Sequence, residues 1–427
     1  MAKIFIVINP GFFNKGDAAI VLGALKTLRT IDNVEVSLIS AYPEFESVRC
    51  NANLITDPRS KGKPLIIRIF RFAITILQHT SFAILHRIFG LSRIPTGIMK
   101  RGILEEYYKS DIIVAALDDS FTTLYGYAPF STNFYSIFLA KLLKKSVVLY
   151  AGSIGPFKNK FYEILGGYII NKVDLVTLRE EISFEYLKKI GVNKPPMYVT
   201  ADLAFALQPA PLERAKEILS SEGIDENVRP LIGVSLSRVI SRWAFPELQD
   251  PEEKYRKYIK MMAQMVDYLI EELSATVIFI PQVIGPTEEN DDRNTAKDIY
   301  QMAKNKDKIK LITNEYTPEE LRAITGQFDL FIGARTHSVI SAAMMCTPFV
   351  AIEYESHKTR GIIGKMLDCD ELVYDVRTLD FGTLISKIND AWLNRTKIRE
   401  ELKIKTEGME ERALLNGKLV KELMTRK

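Results

Sequence analysis

Strand-like and helix-like runs alternate through both halves of the chain, and this alternation constrains the fold more than any other feature of the sequence. The apolar run Lys3–Asn9, for example, precedes the amphipathic run Ala18–Leu28. Alternation of this kind is typical of parallel sheets with right-handed crossovers, so we predict an α/β protein. The predicted strands are Lys3–Asn9, Glu35–Ile39, Asp111–Ala115, Ser146–Tyr150, Val173–Leu178, Met197–Thr200, Leu231–Leu236, Thr276–Ile280, Lys310–Thr313, Leu330–Gly333 and Phe349–Glu353.

The length of the chain, 427 residues, exceeds that of one ordinary hydrophobic core, so two domains are expected. A polar stretch, Gln208–Pro230, contains PAP, EG and RP and is the predicted hinge. We predict a Rossmann-like domain over residues 1–210, a second over 228–390, and a charged helical tail over 391–427. The two domains are expected to face each other across a cleft.

The composition excludes several classes of protein. A hydrophobic fraction of 47% with 26% charged residues is typical of a folded chain rather than a disordered one. The three cysteines are widely spaced and there are four histidines, so we expect no metal site and a reducing compartment. The sequence MAKIFIVIN enters a strand at once without a cleavage pattern, so we expect a cytoplasmic protein without a signal peptide.

The sequence from Pro58 to Leu104 contains no acidic residue and is both basic and apolar. Its nine basic residues are Arg59, Lys61, Lys63, Arg68, Arg71, Arg87, Arg93, Lys100 and Arg101. The longest uncharged run, Phe72–His86, is shorter than the ~20 apolar residues of a membrane-spanning helix. We therefore predict a helical insertion over about 60–102, in which residues 64–91 contact an anionic membrane surface as an amphipathic helix or hairpin.

Two roles other than membrane contact bear on this insertion: helix packing, which fits its composition comparably well, and nucleic-acid binding, which does not fit it as well. A basic helix pair packed on its own domain, or in a dimer interface, would have the same composition. Nucleic-acid binding is not expected, because the basic residues are interleaved with aliphatic ones.

In the second half of the chain, basic residues follow two neighbouring predicted strands. Arg335 and His337 follow the strand Leu330–Gly333 at the start of a helix, where free N–H groups and the dipole favour an anion. Arginine can hold a carboxylate or phosphate bidentately, and Lys358 follows the next strand, Phe349–Glu353. Alternatively, both residues have only structural roles: Arg335 forms a salt bridge, and His337 is an ordinary residue at the start of a helix.

The first half has polar residues at corresponding places. Asn14 and Asp17 lie between the first strand and a helix, where Asp17 is either an N-cap or part of a ligand site beyond the strand ends. Arg179 follows the strand Val173–Leu178, and its structural alternative is a pair with Glu180 or Glu181. Asp202, farther along, is placed to cap a helix or to orient a basic neighbour.

Six segments of the sequence resemble, in order, successive motifs of the polysaccharide pyruvyl transferase family. The segments are NKGDAAI, AGSIGPF, TLREEIS, ADLAFAL, FIPQVIGPTEENDD and GARTHSVISAAMMCTPFVAIEYESHK, and the resemblance extends from Ile6 to about Leu367. It implies a glycosyltransferase-B-like fold of two Rossmann-like domains, with the acceptor on the first domain and phosphoenolpyruvate on the second.

The resemblance also implies a reaction. The enolpyruvyl carbons of phosphoenolpyruvate, a substrate rather than a cofactor, would pass to two hydroxyls of a sugar and form a cyclic ketal with release of phosphate. The acceptor would be a cell-surface polysaccharide or its lipid-linked precursor, which would place the enzyme peripherally at the inner face of the membrane. The positions that match the family's substrate-binding residues are Asn14, Arg179, Arg335 and Lys358.

Two of the matching positions are assigned catalytic roles. Imidazole donates and accepts protons near neutral pH, so His337 is assigned as the acid that protonates the vinyl carbon. A carboxylate can stabilise a developing cation and take a hydroxyl proton, so Asp17 is assigned to deprotonate the acceptor. The reverse assignment of the two roles is also open.

One segment, VAALDDSFTTLYGYAP, departs from the family's pattern. Where a Gly-Gly-Gly turn is expected after the third strand, the chain has Ala116, Leu117 and Asp118, so side chains occupy space that glycines would leave to a ligand. Two other functions therefore stay open: a nucleotide-sugar glycosyltransferase with Arg335 and Lys358 on a diphosphate, and a non-catalytic, membrane-associated carbohydrate-binding relative.

Overall fold

A computed structural model describes residues 1–9, 11–57, 65–90, 102–225, 227–354 and 357–426 of the chain. These residues form two compact units. Unit 1 comprises Met1–Phe12, Ile20–Ala206 and Glu411–Lys427, and unit 2 comprises Phe13–Ala19 and Leu207–Glu410.

Strands and helices alternate along both units. The strands are β1 (Ala2–Ile6), β2 (Val34–Ser40), β3 (Asn53–Thr56), β4 (Ile112–Ala116), β5 (Ser146–Gly152), β6 (Leu175–Leu178), β7 (Met197–Val199), β8 (Leu231–Ser235), β9 (Thr276–Phe279), β10 (Ile309–Leu311), β11 (Leu330–Gly333), β12 (Phe349–Glu353) and β13 (Val373–Asp375). The α-helices are α1 (Lys15–Leu28), α2 (Pro43–Ser47), α3 (Leu65–Phe89), α4 (Ile103–Lys109), α5 (Tyr127–Leu142), α6 (Lys160–Ile170), α7 (Glu181–Lys189), α8 (Leu212–Ser221), α9 (Arg238–Ser241), α10 (Pro251–Glu271), α11 (Asp292–Met302), α12 (Pro318–Thr325), α13 (Thr336–Met344), α14 (Phe381–Leu393), α15 (Arg395–Lys405) and α16 (Met409–Thr425).

The sheet of unit 1 has the strand order β3-β2-β1-β4-β5-β6-β7, with every described pairing parallel. Its central strands are continuous apolar runs, and every residue of β4 and of β5 is buried. Such runs are typical of parallel strands that helices cover on both faces. The strand order reverses between β1 and β4, and in open α/β sheets this reversal marks the usual ligand-binding crevice.

The sheet of unit 2 has the strand order β10-β9-β8-β11-β12-β13, again with parallel pairing throughout. Its order reverses between β8 and β11, where Gly333 pairs with Ser235. The residues that follow these two strands are therefore neighbours in space. The predicted α/β class, with two Rossmann-like parallel sheets, is confirmed.

Two strands lie outside the predicted set, β3 and β13. Each is an edge strand of its sheet, with four residues in β3 and three in β13. Edge strands are covered less than central ones, and β3 is only partly buried, so neither sequence carries the long apolar run that identified the central strands.

The division into units differs from the expected domain boundaries at two segments. Residues 13–19 belong to unit 2 because their backbone pairs with residues 282–284, which follow β9. Most of α16 belongs to unit 1, where Asn416 accepts a hydrogen bond from Thr200 Oγ1 at 2.8 Å. Gly417 lies so close to the Thr27 carbonyl that a Cβ there would be 2.1 Å from its oxygen.

The predicted insertion contains one long helix, α3, between β3 and β4. Phe82 and Ala83 on this helix are buried in the core of unit 1, and Phe82 also packs edge-on against Tyr108. Residues 58–64 and 91–101, which hold six of the nine basic residues and both ends of the predicted membrane segment, lie outside the described residues. Nowhere in the described ranges is a helix both long and apolar enough to cross a bilayer.

Candidate functional site in unit 2

Arg335 follows β11 at the point where the strand order of unit 2 reverses. Its Nη2 donates to Ser237 Oγ at 2.6 Å and to Asp292 Oδ1 at 3.0 Å, and its Nη1 lies 3.5 Å from the Tyr354 hydroxyl. Ser237 follows β8 and Tyr354 follows β12, so residues beyond two neighbouring strands fix the guanidinium. This position is the usual ligand-binding place in open α/β sheets.

Asp292, the first residue of α11, holds Arg335 in place and is itself rigidly held. Its Oδ2 accepts hydrogen bonds from the backbone N–H groups of Gln282, at 3.2 Å, and Val283, at 2.9 Å. The side chains of Asp292 and Arg335 are 2% and 14% exposed. Burial opposes the charge on Arg335, but the Asp292 carboxylate outweighs it and raises the guanidinium pKa, so Arg335 stays charged.

The start of α13 offers backbone donors beside this guanidinium. Arg335 is the N-cap residue, and its own side chain does not cap the helix. The Arg335 carbonyl accepts from Ser338 and Val339, so the helix begins regularly and its first N–H groups point away from the helix body. A helix N-terminus beside an arginine is a typical anion-binding arrangement.

Residues 13–17 join unit 2 through the same loop that holds Asp292. The Phe13 carbonyl accepts from Ile284 N at 3.0 Å, and Lys15 N donates to the Gln282 carbonyl at 2.7 Å. Lys15 itself is 4% exposed and forms an ion pair with Glu315 at 2.6 Å. The polar turn that follows β1 is thus attached to the strand ends of the second sheet.

The first turn of α1 packs directly on His337. A Cβ added to Gly16 would lie 2.4 Å from His337 Nδ1 and 2.7 Å from its Cγ, so only glycine fits here without a shift of the imidazole. Asp17, the next residue, is half-buried in this turn. The imidazole and this carboxylate therefore belong to one small region of unit 2.

The interpretation of Asp17 as the N-cap is wrong, because Asn14 caps α1. Asn14 Oδ1 accepts from the backbone N–H groups of Gly16, at 3.0 Å, and Asp17, at 3.4 Å, and its carbonyl accepts from Ala18. The helix begins at Lys15, three residues earlier than the sequence pattern indicated. Asp17 is therefore a first-turn residue of α1 and not its N-cap.

Lys358 lies in the segment after β12, and this segment contacts the start of α13. The hydroxyls of Thr359 and Thr336 are 2.7 Å apart, so the residue next to Lys358 is hydrogen-bonded to the first residue of α13. The Lys358 side chain is half-buried. Five of the six predicted site residues, Asn14, Asp17, Arg335, His337 and Lys358, are thus in unit 2 around the ends of β9, β11 and β12.

Arg179, the sixth, belongs to unit 1 and is 1% exposed. Its Nη1 pairs with Asp202 Oδ2 at 2.7 Å and its Nε donates to Ser153 Oγ at 2.8 Å. Burial opposes the charge, but Asp202 and Asp119 outweigh it and raise the pKa of Arg179. The partner is therefore Asp202 rather than Glu180 or Glu181, and substrate binding by Arg179 stays a prediction.

Three residues that hold Arg335 were missed from the sequence: Ser237, Asp292 and Tyr354. Asp292 lies in a pair of aspartates at a helix start, and the first of the pair, Asp291, does cap α11. No feature of the local sequence indicates that the second aspartate, Asp292, pairs with an arginine more than forty residues later. Only the strand order, which places β8 beside β11, brings these side chains together.

Comparison with known proteins gives a consistent family match. The family model described as polysaccharide pyruvyl transferase matches residues 14–357. The chain is also 24% identical, over 99% of both chains, to the amylovoran biosynthesis protein AmsJ of Erwinia amylovora.

Solved structures of other proteins resemble the whole chain at low sequence identity. Anabaena HepE, solved in complex with UDP-glucose, has a TM-score of 0.60 at 12% identity, and the superposition covers 100% of both chains. The UDP-GlcNAc 2-epimerase of Methanocaldococcus jannaschii has a TM-score of 0.55 at 13% identity, with 92% of each chain covered. These likenesses confirm the predicted glycosyltransferase-B-like fold class.

Proposed function

The chain belongs to the polysaccharide pyruvyl transferase family, and we propose that it transfers pyruvate as a ketal from phosphoenolpyruvate to two hydroxyls of a sugar. The acceptor sugar belongs to a cell-surface polysaccharide or to its lipid-linked precursor. Similarity to an amylovoran biosynthesis protein supports a role in polysaccharide modification.

The observation that carries the donor assignment is the anion site at the start of α13. Phosphoenolpyruvate has a phosphate and a carboxylate, so its site needs several donors and cations within a few ångströms. Unit 2 offers the N-terminus of α13, the fixed guanidinium of Arg335, and Lys358 in the adjoining segment. Because Asp292 and Ser237 hold Arg335 before any ligand binds, little reorganisation is needed on binding.

The proposed chemistry uses the two groups next to Gly16. His337 donates a proton to the vinyl carbon, and the resulting cationic C2 is attacked by the first sugar hydroxyl, whose proton passes to Asp17. Attack of the second hydroxyl at C2, with its proton passing to His337, then breaks the bond from C2 to the phosphate oxygen and closes the ketal ring. The departing phosphate takes the proton from Asp17, so both side chains return to their starting states. Packing of the imidazole against the first turn of α1 restricts its motion, which favours proton transfer at one position.

Thermal unfolding with and without millimolar phosphoenolpyruvate tests the donor assignment. A ligand that binds only the folded chain raises its melting temperature. We expect a shift in the wild type and at least a tenfold weaker apparent affinity in Arg335→Lys, which keeps a charge beside Asp292 but loses the planar fork. Arg229→Ala, at the opposite end of β8 and 47% exposed, is the matched control and should respond as the wild type does.

The nucleotide-sugar alternative is separated by the same assay. A glycosyltransferase would use the anion site for a diphosphate, so UDP-glucose would raise the melting temperature and phosphoenolpyruvate would not. That result would replace the pyruvyl transfer assignment. A wild type that responds to neither ligand would favour the non-catalytic alternative.

Helix α3 supports a peripheral position at the cytoplasmic face of the membrane. One side of the helix packs on unit 1 through Phe82 and Ala83. Its exposed apolar residues are spaced as on one helix face, at Ile74, Leu77, Ile84, Leu85, Ile88 and Phe89. Because the surrounding sequence has nine basic and no acidic residues, an anionic lipid surface is the complementary partner.

A further inference from the structure

Unit 1 contains a cavity at the place where its own strand order reverses. The cavity holds about 370 Å³ and lies beyond the ends of β1, β2 and β4, against the start of α5. A volume of this size equals that of about a dozen water molecules, which is comparable with a hexose of about a dozen heavy atoms. It falls within the usual range for small-molecule sites.

The described residues that line this cavity are acidic or neutral. The carboxylates are Asp57 and Asp118, each 8% exposed, and they are accompanied by Asn9, Ser120 and Asn133. No lysine or arginine lines it among the described residues. The cavity therefore suits hydrogen-bond donors on an uncharged ligand and disfavours an anion, in contrast to the site at the start of α13.

Asn133 gives an independent indication of a missing partner. Its side chain is 1% exposed, and its Nδ2 donates to Ser120 Oγ at 3.2 Å and to the Pro129 carbonyl at 3.0 Å. Its Oδ1 has no hydrogen-bond partner among the described residues. A buried amide oxygen without a partner costs free energy, and a ligand hydroxyl could satisfy it.

Hydrogen bonds to nearby backbone N–H groups hold Asp118 in place at the cavity. Its Oδ1 accepts from Ser120 N at 2.9 Å, and its carbonyl accepts from Ser153 N at 3.0 Å, which fixes the turn after β4. Leu117, just before it, is fully buried in the core, so Asp118 is the first polar side chain of this turn. Burial, together with the neighbouring Asp119, raises the pKa of Asp118 above that of an exposed aspartate.

We propose that this cavity binds a neutral, hydroxyl-bearing sugar unit of the acceptor glycan, with Asp118 and Asn133 as its main polar contacts. That the bound sugar belongs to the acceptor rests on the proposed function, whereas the binding site itself is argued from unit 1 alone. The proposal assigns substrate selection to this cavity, so that a hexose is accepted and the corresponding hexuronate, with its carboxylate, is rejected.

Saturation-transfer difference NMR titrations of the full chain with methyl hexopyranosides test the proposal. The probes are the methyl glucoside, galactoside and mannoside, each compared with the corresponding methyl uronide. We expect at least one hexoside to bind saturably, and at least tenfold more tightly than its uronide. Asn133→Leu should weaken hexoside binding at least fivefold. Asp118→Asn should reduce the ratio between the affinity for the hexoside and the affinity for its uronide.

Asp111→Asn is the matched control, because Asp111 precedes β4 at the opposite end of the strand and bonds to Lys3 N at 2.9 Å. It should bind as the wild type does. Failure of every hexoside to bind the wild type, or equal hexoside affinity in wild type, Asp118→Asn and Asn133→Leu, would overturn the proposal.

The phosphoenolpyruvate response of the same samples separates this proposal from the proposed function. A normal melting shift with unchanged sugar binding in the unit 1 variants would refute the sugar site and leave the donor assignment intact. If the unit 1 variants weaken sugar binding but phosphoenolpyruvate does not shift the melting temperature of the wild type, the donor assignment is refuted and the sugar site is kept.

Discussion

Replacing Arg335 by alanine should destabilise unit 2 as well as prevent ligand binding. The side chain pairs at 3.0 Å with Asp292, which is 2% exposed. Removal of one partner leaves a buried, uncompensated carboxylate, a change that typically costs about 3–5 kcal/mol. For a unit of roughly 200 residues, each kcal/mol lowers the melting temperature by about 2–4 °C, so we expect a fall of roughly 6 °C or more.

A double-mutant cycle with Asp292→Asn measures the coupling between the two charges. The asparagine can still accept the backbone hydrogen bonds of Gln282 and Val283, but it carries no charge. Arg335→Ala combined with Asp292→Asn should therefore recover more than half of the stability lost in Arg335→Ala alone. Arg335→Lys should lose less than half as much as the alanine variant, because it keeps a charge near Asp292.

Thermal and urea unfolding, followed by circular dichroism, give the four stabilities of the cycle. A change of less than about 0.5 kcal/mol in Arg335→Ala, or strictly additive losses in the double variant, would refute the reasoning. In that event Arg335 would not be held by Asp292 in solution. The pre-positioned anion site would then lose its physical basis.

Three further predictions concern separate parts of the molecule. Asp17→Asn should leave the melting temperature unchanged, because Asn14 caps α1, but should lower turnover by about a hundredfold or more in a phosphate-release assay; normal turnover would end the catalytic assignment. Burial lowers the pKa of His79 in the folded chain to about 4, so the unfolded chain binds the proton more readily. The free energy of unfolding should therefore fall by about 2 kcal/mol as the pH drops from 7 to 5. Urea unfolding at both pH values should show this loss in the wild type and a smaller loss in His79→Gln. Vesicle flotation should recover the wild type with anionic liposomes, less at high salt, and recover less of the double variant Leu77→Ser and Ile88→Ser; equal recovery of both proteins would assign no membrane role to this face of α3.

The elements and most of the site could be predicted because their signals are local. An apolar run followed by a polar turn and an amphipathic run identifies a strand end, and that rule located both Arg335 and His337. The short edge strands β3 and β13 carry no such run and were missed for that reason.

The rest of the site depends on pairings between distant parts of the sequence. Residues 13–17 belong to unit 2 through backbone bonds to residues 282–284, and no property of either segment alone predicts that pairing. The cap of α1 was misplaced because both Asn14 and Asp17 are good N-cap residues, and only the hydrogen bonds of Asn14 distinguish them. The sequence placed Asp202 to orient a basic neighbour, but it did not identify that neighbour as Arg179, which was expected to pair with Glu180 or Glu181.

A crystal structure of the chain with phosphoenolpyruvate tests the central claim most directly. We predict that the phosphate or the carboxylate lies at the first N–H groups of α13, within hydrogen-bond distance of Arg335, with the vinyl carbon next to His337. Binding of phosphoenolpyruvate away from the start of α13, or an empty site at saturating ligand under conditions in which UDP-glucose occupies it, would contradict the account.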